Sequence, residues 1–232
     1  MKRIIAIGGG ELRERTTLQI DEYIAKLAKE HAGENRANAL FIPTASHDFM
    51  PYYNTFHKVY TGQFNIKTDV ALSVFKEVDL ERMKAKFEKA DVIYVGGGDT
   101  VFMMESWKQS GLLELIKDAY ERGVIIAGLS AGAICWFSDI YTDSAKEQTG
   151  EQYAMFKGLN WLNGVISPHY NTRMLDFDKI VCYNYGCAYG LEDNAALVLE
   201  DGEIVGSITS GGTVWKLESK DGVLQKTKVQ TI

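Results

Sequence analysis

Along the first two thirds of the chain, short apolar runs alternate with stretches in which apolar residues recur every three or four positions. The runs at residues 4–7, 39–42, 66–72, 92–95 and 124–128 are mostly continuous in Ile, Val, Ala, Leu and aromatics, the pattern of strands covered on both faces. The stretches at 17–31, 51–63, 79–89 and 100–122 carry helical spacing, the last interrupted at Gly111. Asp79 and Asp99 stand where helix N-caps belong, and Gly123 stands where a helix ends. This alternation predicts an α/β fold built on a doubly wound, mostly parallel sheet with helices on both faces. From Ala195 onward the period shortens to strand-like alternation around Asp201-Gly202 and Asp221-Gly222, which predicts C-terminal β-hairpins. No repeat, linker or low-complexity tract divides residues 1–232, so a single domain is expected. Tyr52, Tyr53, Phe56 and Tyr60 share one helical stretch, and most of them read as core rather than cleft.

Composition narrows the partners. The 232 residues carry a formal net charge of -6, and the densest basic run, around Lys84, Lys86 and Lys89, is interleaved with Glu81 and Glu88. A nucleic-acid partner is not expected, because phosphate backbones are met by a basic face. The start, MKRIIAIGGGE, has too few apolar residues for a signal-peptide core, and no run approaches the ~20 apolar residues of a membrane span. Cys135, Cys182 and Cys187 are odd in number and lack zinc-site spacing, so reduced thiols, a cytoplasmic location and no metal are expected. The pattern is silent on oligomeric state; a homodimer paired through the C-terminal hairpins is one option.

Chemistry concentrates where strands end, since loops and helix N-termini converge there in parallel sheets. Gly8-Gly9-Gly10, Gly96-Gly97-Gly98-Asp99 and Gly128-Leu129-Ser130-Ala131-Gly132 each follow a predicted strand. The last is a Gly-x-Ser-x-Gly run between a strand and a helical pattern, the setting of a nucleophile elbow, in which a sharp turn lifts the serine hydroxyl and leaves no room for side chains at the glycines. Close packing of small residues is the competing reading.

Serine needs a base. His31 ends a helix, and His47 and His57 flank the loop after the second strand, whereas His169 follows the apolar segment 164–168 and so shares an edge with Ser130. The orienting acid is sought among Asp139, Asp143, Glu147 and Glu151, with Asp143 and Glu147 favoured. Asp99 is expected to cap its helix and is also a candidate substrate contact. A nucleotide-dependent enzyme is disfavoured, because no Gly-x-x-x-x-Gly-Lys-Ser/Thr pattern occurs and Arg13 replaces the third glycine of a dinucleotide fingerprint.

In the Gly96 to Asp99 turn, the Gly128 to Gly132 elbow and the Ser167-Pro168-His169-Tyr170 segment, in that order, the chain resembles the peptidase E family of aspartyl dipeptidases, and more distantly cyanophycinase. The resemblance runs to about Ala196. It implies a fold related to class I glutamine amidotransferases with serine in place of the elbow cysteine, and hydrolysis of short peptides, including dipeptides with N-terminal Asp, without metal or organic cofactor. It implies Ser130 as nucleophile, His169 as base and the N–H groups of Gly98 and Ala131 as oxyanion hole. The family's acid falls near Asp143, with Glu147 as the alternative. The family's substrate-carboxylate arginine lies in a region shortened here, which leaves Arg173 as the nearby candidate. The competing function is a non-catalytic ligand-binding or regulatory module of the same fold.

Overall fold

The computed structural model describes residues 1–75, 78–144 and 150–232. Its centre is a seven-stranded sheet in the order β11-β10-β1-β5-β4-β2-β3. The parallel strands are β1 (Arg3–Ile7), β2 (Asn38–Ile42), β3 (Lys67–Val70), β4 (Val92–Val95) and β5 (Ile125–Leu129). The hairpin of β10 (Ala195–Glu200) and β11 (Glu203–Thr209) extends the sheet antiparallel to β1. Its turn, Asp201-Gly202, has φ of 48° and 88°, the positive pair that a two-residue hairpin requires.

Strands β1, β2, β4 and β5 are buried on both faces, as the sequence predicts, whereas the edge strand β3 is partly exposed. Along β1, Ile5 and Ile7 face α1 (Leu18–Ala32) and α2 (Met50–Phe64) through Ile20, Ile24, Phe56 and Tyr60. Ile4 and Ala6 face the opposite layer, which includes α3 (Leu80–Lys89), α4 (Thr100–Ser110) and α5 (Leu112–Glu121). The helical stretch 100–122 breaks at Gly111, whose φ of 76° suits glycine. Asp79 and Asp99 cap their helices by accepting the N–H of Arg82 and Phe102, each at 3.0 Å.

One expectation needs correction. The third strand stops at Val70 rather than Leu72, because the Asp48 carboxylate takes the N–H groups of Ser73 and Val74 (2.7 and 2.8 Å) and draws the chain off the sheet edge. The second C-terminal hairpin, β12 (Val214–Lys220) and β13 (Val223–Lys228), belongs to a separate six-stranded sheet in the order β13-β12-β9-β8-β6-β7. That sheet contains β6 (Phe137–Thr142), β7 (Ala154–Lys157), β8 (Leu162–Ser167) and β9 (Cys187–Leu191); β6, β8 and β9 run parallel. It packs on the main layer through Ile140, Ile166, Leu191 and Val214, and on α7 (Tyr170–Asn184) through Phe177 and Val181. No helix among the described residues is long and apolar enough to cross a membrane.

One buried acid makes the fold pH-sensitive. Asp21, 1 % exposed on α1, accepts hydrogen bonds from Thr17 Oγ1 (2.7 Å) and Tyr60 OH (2.9 Å). Burial outweighs both bonds and pushes its carboxyl up to about 6. Between pH 4 and 6 the folded chain therefore holds a proton that the unfolded chain has released. Stability from this group is complete below about pH 4 and is lost as pH rises through about 6, by roughly 3 kcal/mol. Asp21→Asn should flatten the decline of Tm between pH 4 and 7; a slope equal to that of the parent chain would show that this carboxyl does not titrate there.

Candidate active site

Ser130 sits between β5 and the short α6 (Ala131–Ile134) with φ 53° and ψ -106°, a conformation costly for a non-glycine residue. Its flanking glycines are sterically required. A Cβ on Gly128 would lie 2.1 Å from the Gly132 carbonyl oxygen, and one on Gly132 would lie 2.3 Å from the Val95 carbonyl oxygen. Trp136 Nε1 donates to that same Gly132 carbonyl at 2.8 Å from a fully buried ring, which anchors the bend from behind.

His169 ends the loop after β8 in a left-handed conformation and begins α7. Its Nε2 lies 2.9 Å from Ser130 Oγ, across 39 positions of sequence. Its Nδ1 lies 2.6 Å from Oδ1 of Asp193. The second oxygen of Asp193 takes the Asn171 side-chain N–H at 3.0 Å, and Asp193 N–H donates back to Asn171 Oδ1 at 3.1 Å, so the carboxylate is held at two points. The hydrogen bond from His169 holds the Asp193 carboxyl below its ordinary range, against the upward pull of burial, with further help from Asn171 and nearby positive charge. An Asp193 anion fixes the imidazole with Nδ1–H donating to it, which leaves Nε2 to accept the serine proton.

The acid on His169 is therefore Asp193 and not Asp143. Asp143 lies instead beside Arg173, 3.5 Å from Nη2. Glu147 lies outside the described residues. Asp139 pairs with Lys157 at 2.6 Å. The sequence did carry a signal for Asp193, in the polar cluster Glu192-Asp193-Asn194 wedged between the apolar ends of β9 and β10. Because β9 runs parallel to β8, with Ser167 opposite Gly190, its carboxyl end opens on the edge where His169 stands.

The N-terminal glycines bring these segments together. Three consecutive carbonyls accept from three site segments: Ile7 from Ser130 N–H (2.9 Å), Gly8 from His169 N–H (3.0 Å) and Gly9 from Asn194 N–H (2.9 Å). A Cβ on Gly9 would fall 1.9 Å from Asp193 Oδ1 and 2.4 Å from His169 Nδ1, directly on their hydrogen bond. A run that resembles a defective nucleotide fingerprint is thus a backbone template for the serine, the imidazole and the carboxylate.

The Gly96-Gly97-Gly98 turn lies alongside. A Cβ on Gly97 would meet Ser130 Cβ at 3.4 Å, and Asp99 N–H is tied to the Ala45 carbonyl at 2.8 Å. Among the described residues, the N–H groups of Gly98 and Ala131 donate to no protein acceptor. Asp99 serves as the cap of α4. Arg173, on the first turn of α7, is turned inward: Nη1 donates to the Tyr141 carbonyl at 3.1 Å, and the guanidinium carbon lies 4.6 Å from the centre of the Tyr153 ring. Burial lowers its ionisation, while the charges of Asp143 and Asp193 act to raise it. The remaining histidines stand apart, His31 on Asp91, His57 on Thr68 and His47 against the Phe102 ring. No cluster of metal ligands occurs among the described residues.

Comparison with known proteins gives the fold and the family. A solved peptidase from an acI-B1 Actinobacterium superposes with a TM-score of 0.71 at 18% identity, covering 100% of this chain and 95% of that one, which establishes a shared fold. The Bacillus subtilis (strain 168) protein named uncharacterized peptidase YgaJ is 34% identical over 215 residues, 90% of this chain and 88% of its own length. Peptidase E of Escherichia coli O1:K1 / APEC is 32% identical over 95 residues, 41% of each chain. The family model for peptidase family S51 matches residues 4–206, a span that contains the serine elbow, the histidine and the Asp193 turn, and the chain accordingly belongs to that family.

Proposed function

We propose that this chain is a serine peptidase that hydrolyses short peptides, with Ser130 as nucleophile, His169 as general base and then acid, and Asp193 as the group that orients the imidazole. The support is an unbroken chain of hydrogen bonds, 2.9 Å from Ser130 Oγ to Nε2 and 2.6 Å from Nδ1 to Asp193, centred on a backbone bend that presents the hydroxyl. Ser130 Oγ attacks the peptide carbonyl while Nε2 takes its proton, and the imidazolium then protonates the departing amine. Water repeats the sequence on the acyl-enzyme. The negative charge that develops on the carbonyl oxygen is met by the N–H groups of Gly98 and Ala131, which have no protein acceptor among the described residues.

The same reading assigns the substrate an acidic residue before the scissile bond, as in dipeptides with N-terminal Asp. Arg173 is a buried cation one helical turn from the base, and its Nε has no partner among the described residues. A carboxylate presented there gains a charge-assisted pair of hydrogen bonds that a neutral side chain does not.

A fluorophosphonate probe is expected to label Ser130 covalently. Arg173→Met is expected to raise KM for Asp-p-nitroanilide about tenfold or more, with little change for a neutral substrate. Absence of any adduct at Ser130 would favour a non-catalytic binding module; equal effects on both substrates would remove the acidic preference alone.

A further inference from the structure

Arg173 has more donors than acceptors. Its side chain is 5% exposed, Nη1 has the Tyr141 carbonyl, and Nε has no partner among the described residues. The carboxylate beside it belongs to Asp143, which stands 3.5 Å from Nη2, longer than an ordinary hydrogen bond, and whose own side chain is 56% exposed. A buried guanidinium thus faces a loosely held carboxylate on its solvent side. The backbone around that carboxylate, by contrast, is firmly tied. Ser144 Oγ takes the Thr100 N–H at 2.7 Å and shares a hydrogen bond with Thr142 Oγ1 at 2.9 Å, and Thr142 Oγ1 meets Thr100 Oγ1 at 3.3 Å. Both neighbours of Asp143 are therefore fixed to the start of α4, next to the Gly98 turn, while among the described residues its carboxylate carries only the long contact.

We propose that Asp143 is a specificity-determining residue: an internal carboxylate that holds Arg173 in the free protein and is displaced by the acidic side chain of an incoming substrate. This rests on the assignment of Arg173 as the substrate-carboxylate site. Two carboxylates on one guanidinium repel each other, so the substrate's anion must push aside the resident one. It does so because it makes the short, paired hydrogen bonds that Asp143 does not. Asp143 accordingly weakens binding of acidic substrates and leaves neutral ones unaffected, unlike a group that orients the base, whose removal slows every substrate alike.

The test uses Asp-p-nitroanilide and Asn-p-nitroanilide, which differ by one charge, with the parent chain, Asp143→Asn and Asp143→Ala. Since the side chain is largely exposed, both variants are expected to fold, and Tm checks this. The expected result is a KM for Asp-p-nitroanilide about two- to fivefold lower in both variants, the range of an exposed ion pair, with the KM for Asn-p-nitroanilide changed less than twofold. An unchanged or higher KM for the acidic substrate, or an equal fall for both, overturns the proposal. If the parent chain prefers the acidic substrate and the variants keep its KM, the assignment of Arg173 stands and the role of Asp143 falls; if the parent chain shows no preference, both fall.

Discussion

Ser130→Ala is expected to lower kcat for peptide substrates by about four to six orders of magnitude while leaving Tm within a few degrees of the parent chain. The asymmetry follows from where the hydroxyl sits. Its contact is with the half-exposed His169 ring at 2.9 Å, so the fold loses little when it goes. Alanine inherits the same φ of 53°, so the backbone strain is neither relieved nor increased. On the proposed mechanism, chemistry loses the atom that forms the acyl bond, and what remains is binding and the N–H groups of Gly98 and Ala131. The residual rate is therefore expected to exceed that in water but to show no burst and no covalent adduct. Steady-state turnover measured beside thermal unfolding checks both halves; a variant with parental turnover removes the covalent mechanism.

The elbow and the imidazole beside it were legible in the sequence because each needs a strong local pattern. Gly128 and Gly132 are demanded by carbonyl oxygens within 2.3 Å of where a Cβ would go, and an apolar strand must precede the bend. His169 was legible from the apolar run before it, which fixes the edge it reaches. The acid was not. A carboxylate that orients an imidazole needs no local motif, only proximity across the sheet edge, and Asp193 lies 24 positions beyond His169 in a turn between two strands. Asp143 shares a segment with similar polar residues, and only the three-dimensional position of Arg173 separates its role from that of Asp193.

The second sheet was hidden for a related reason. Its strand β7 is only half-buried, and β13 has a mostly exposed pattern, so neither shows the continuous apolar run that marks β1 or β4. The Gly8-Gly9-Gly10 run was visible but ambiguous. Glycines after a first strand suit a pyrophosphate as well as they suit a His–Asp hydrogen bond passing 1.9 Å from a missing Cβ, and only the partners distinguish the two.

The two carboxylates make a paired experiment whose outcomes lie far apart. Asp193→Asn is expected to lower kcat by about 10⁴-fold, with KM changed far less, because an amide that turns its NH2 toward His169 Nδ1 stabilises the tautomer whose Nε2 carries the proton and cannot accept one from Ser130. The loss should persist as pH is raised over the neutral range, since the native carboxyl is held below its ordinary value and is already anionic there. Stability should respond modestly and with the matching sign: the contribution of the depressed Asp193 carboxyl is present above its unfolded value and is lost as pH falls through the folded one, so the variant and the parent converge in acid. Asp143→Asn, measured on the same substrates, should show no kcat loss approaching that size. A large kcat loss in Asp143→Asn together with near-parental turnover in Asp193→Asn would reverse the assignment. It would require Asp143 and Ser144 to leave Arg173 and Thr100 and the Asn171 clamp on Asp193 to open, against the hydrogen bonds that Ser144 and Asn171 make in the folded chain.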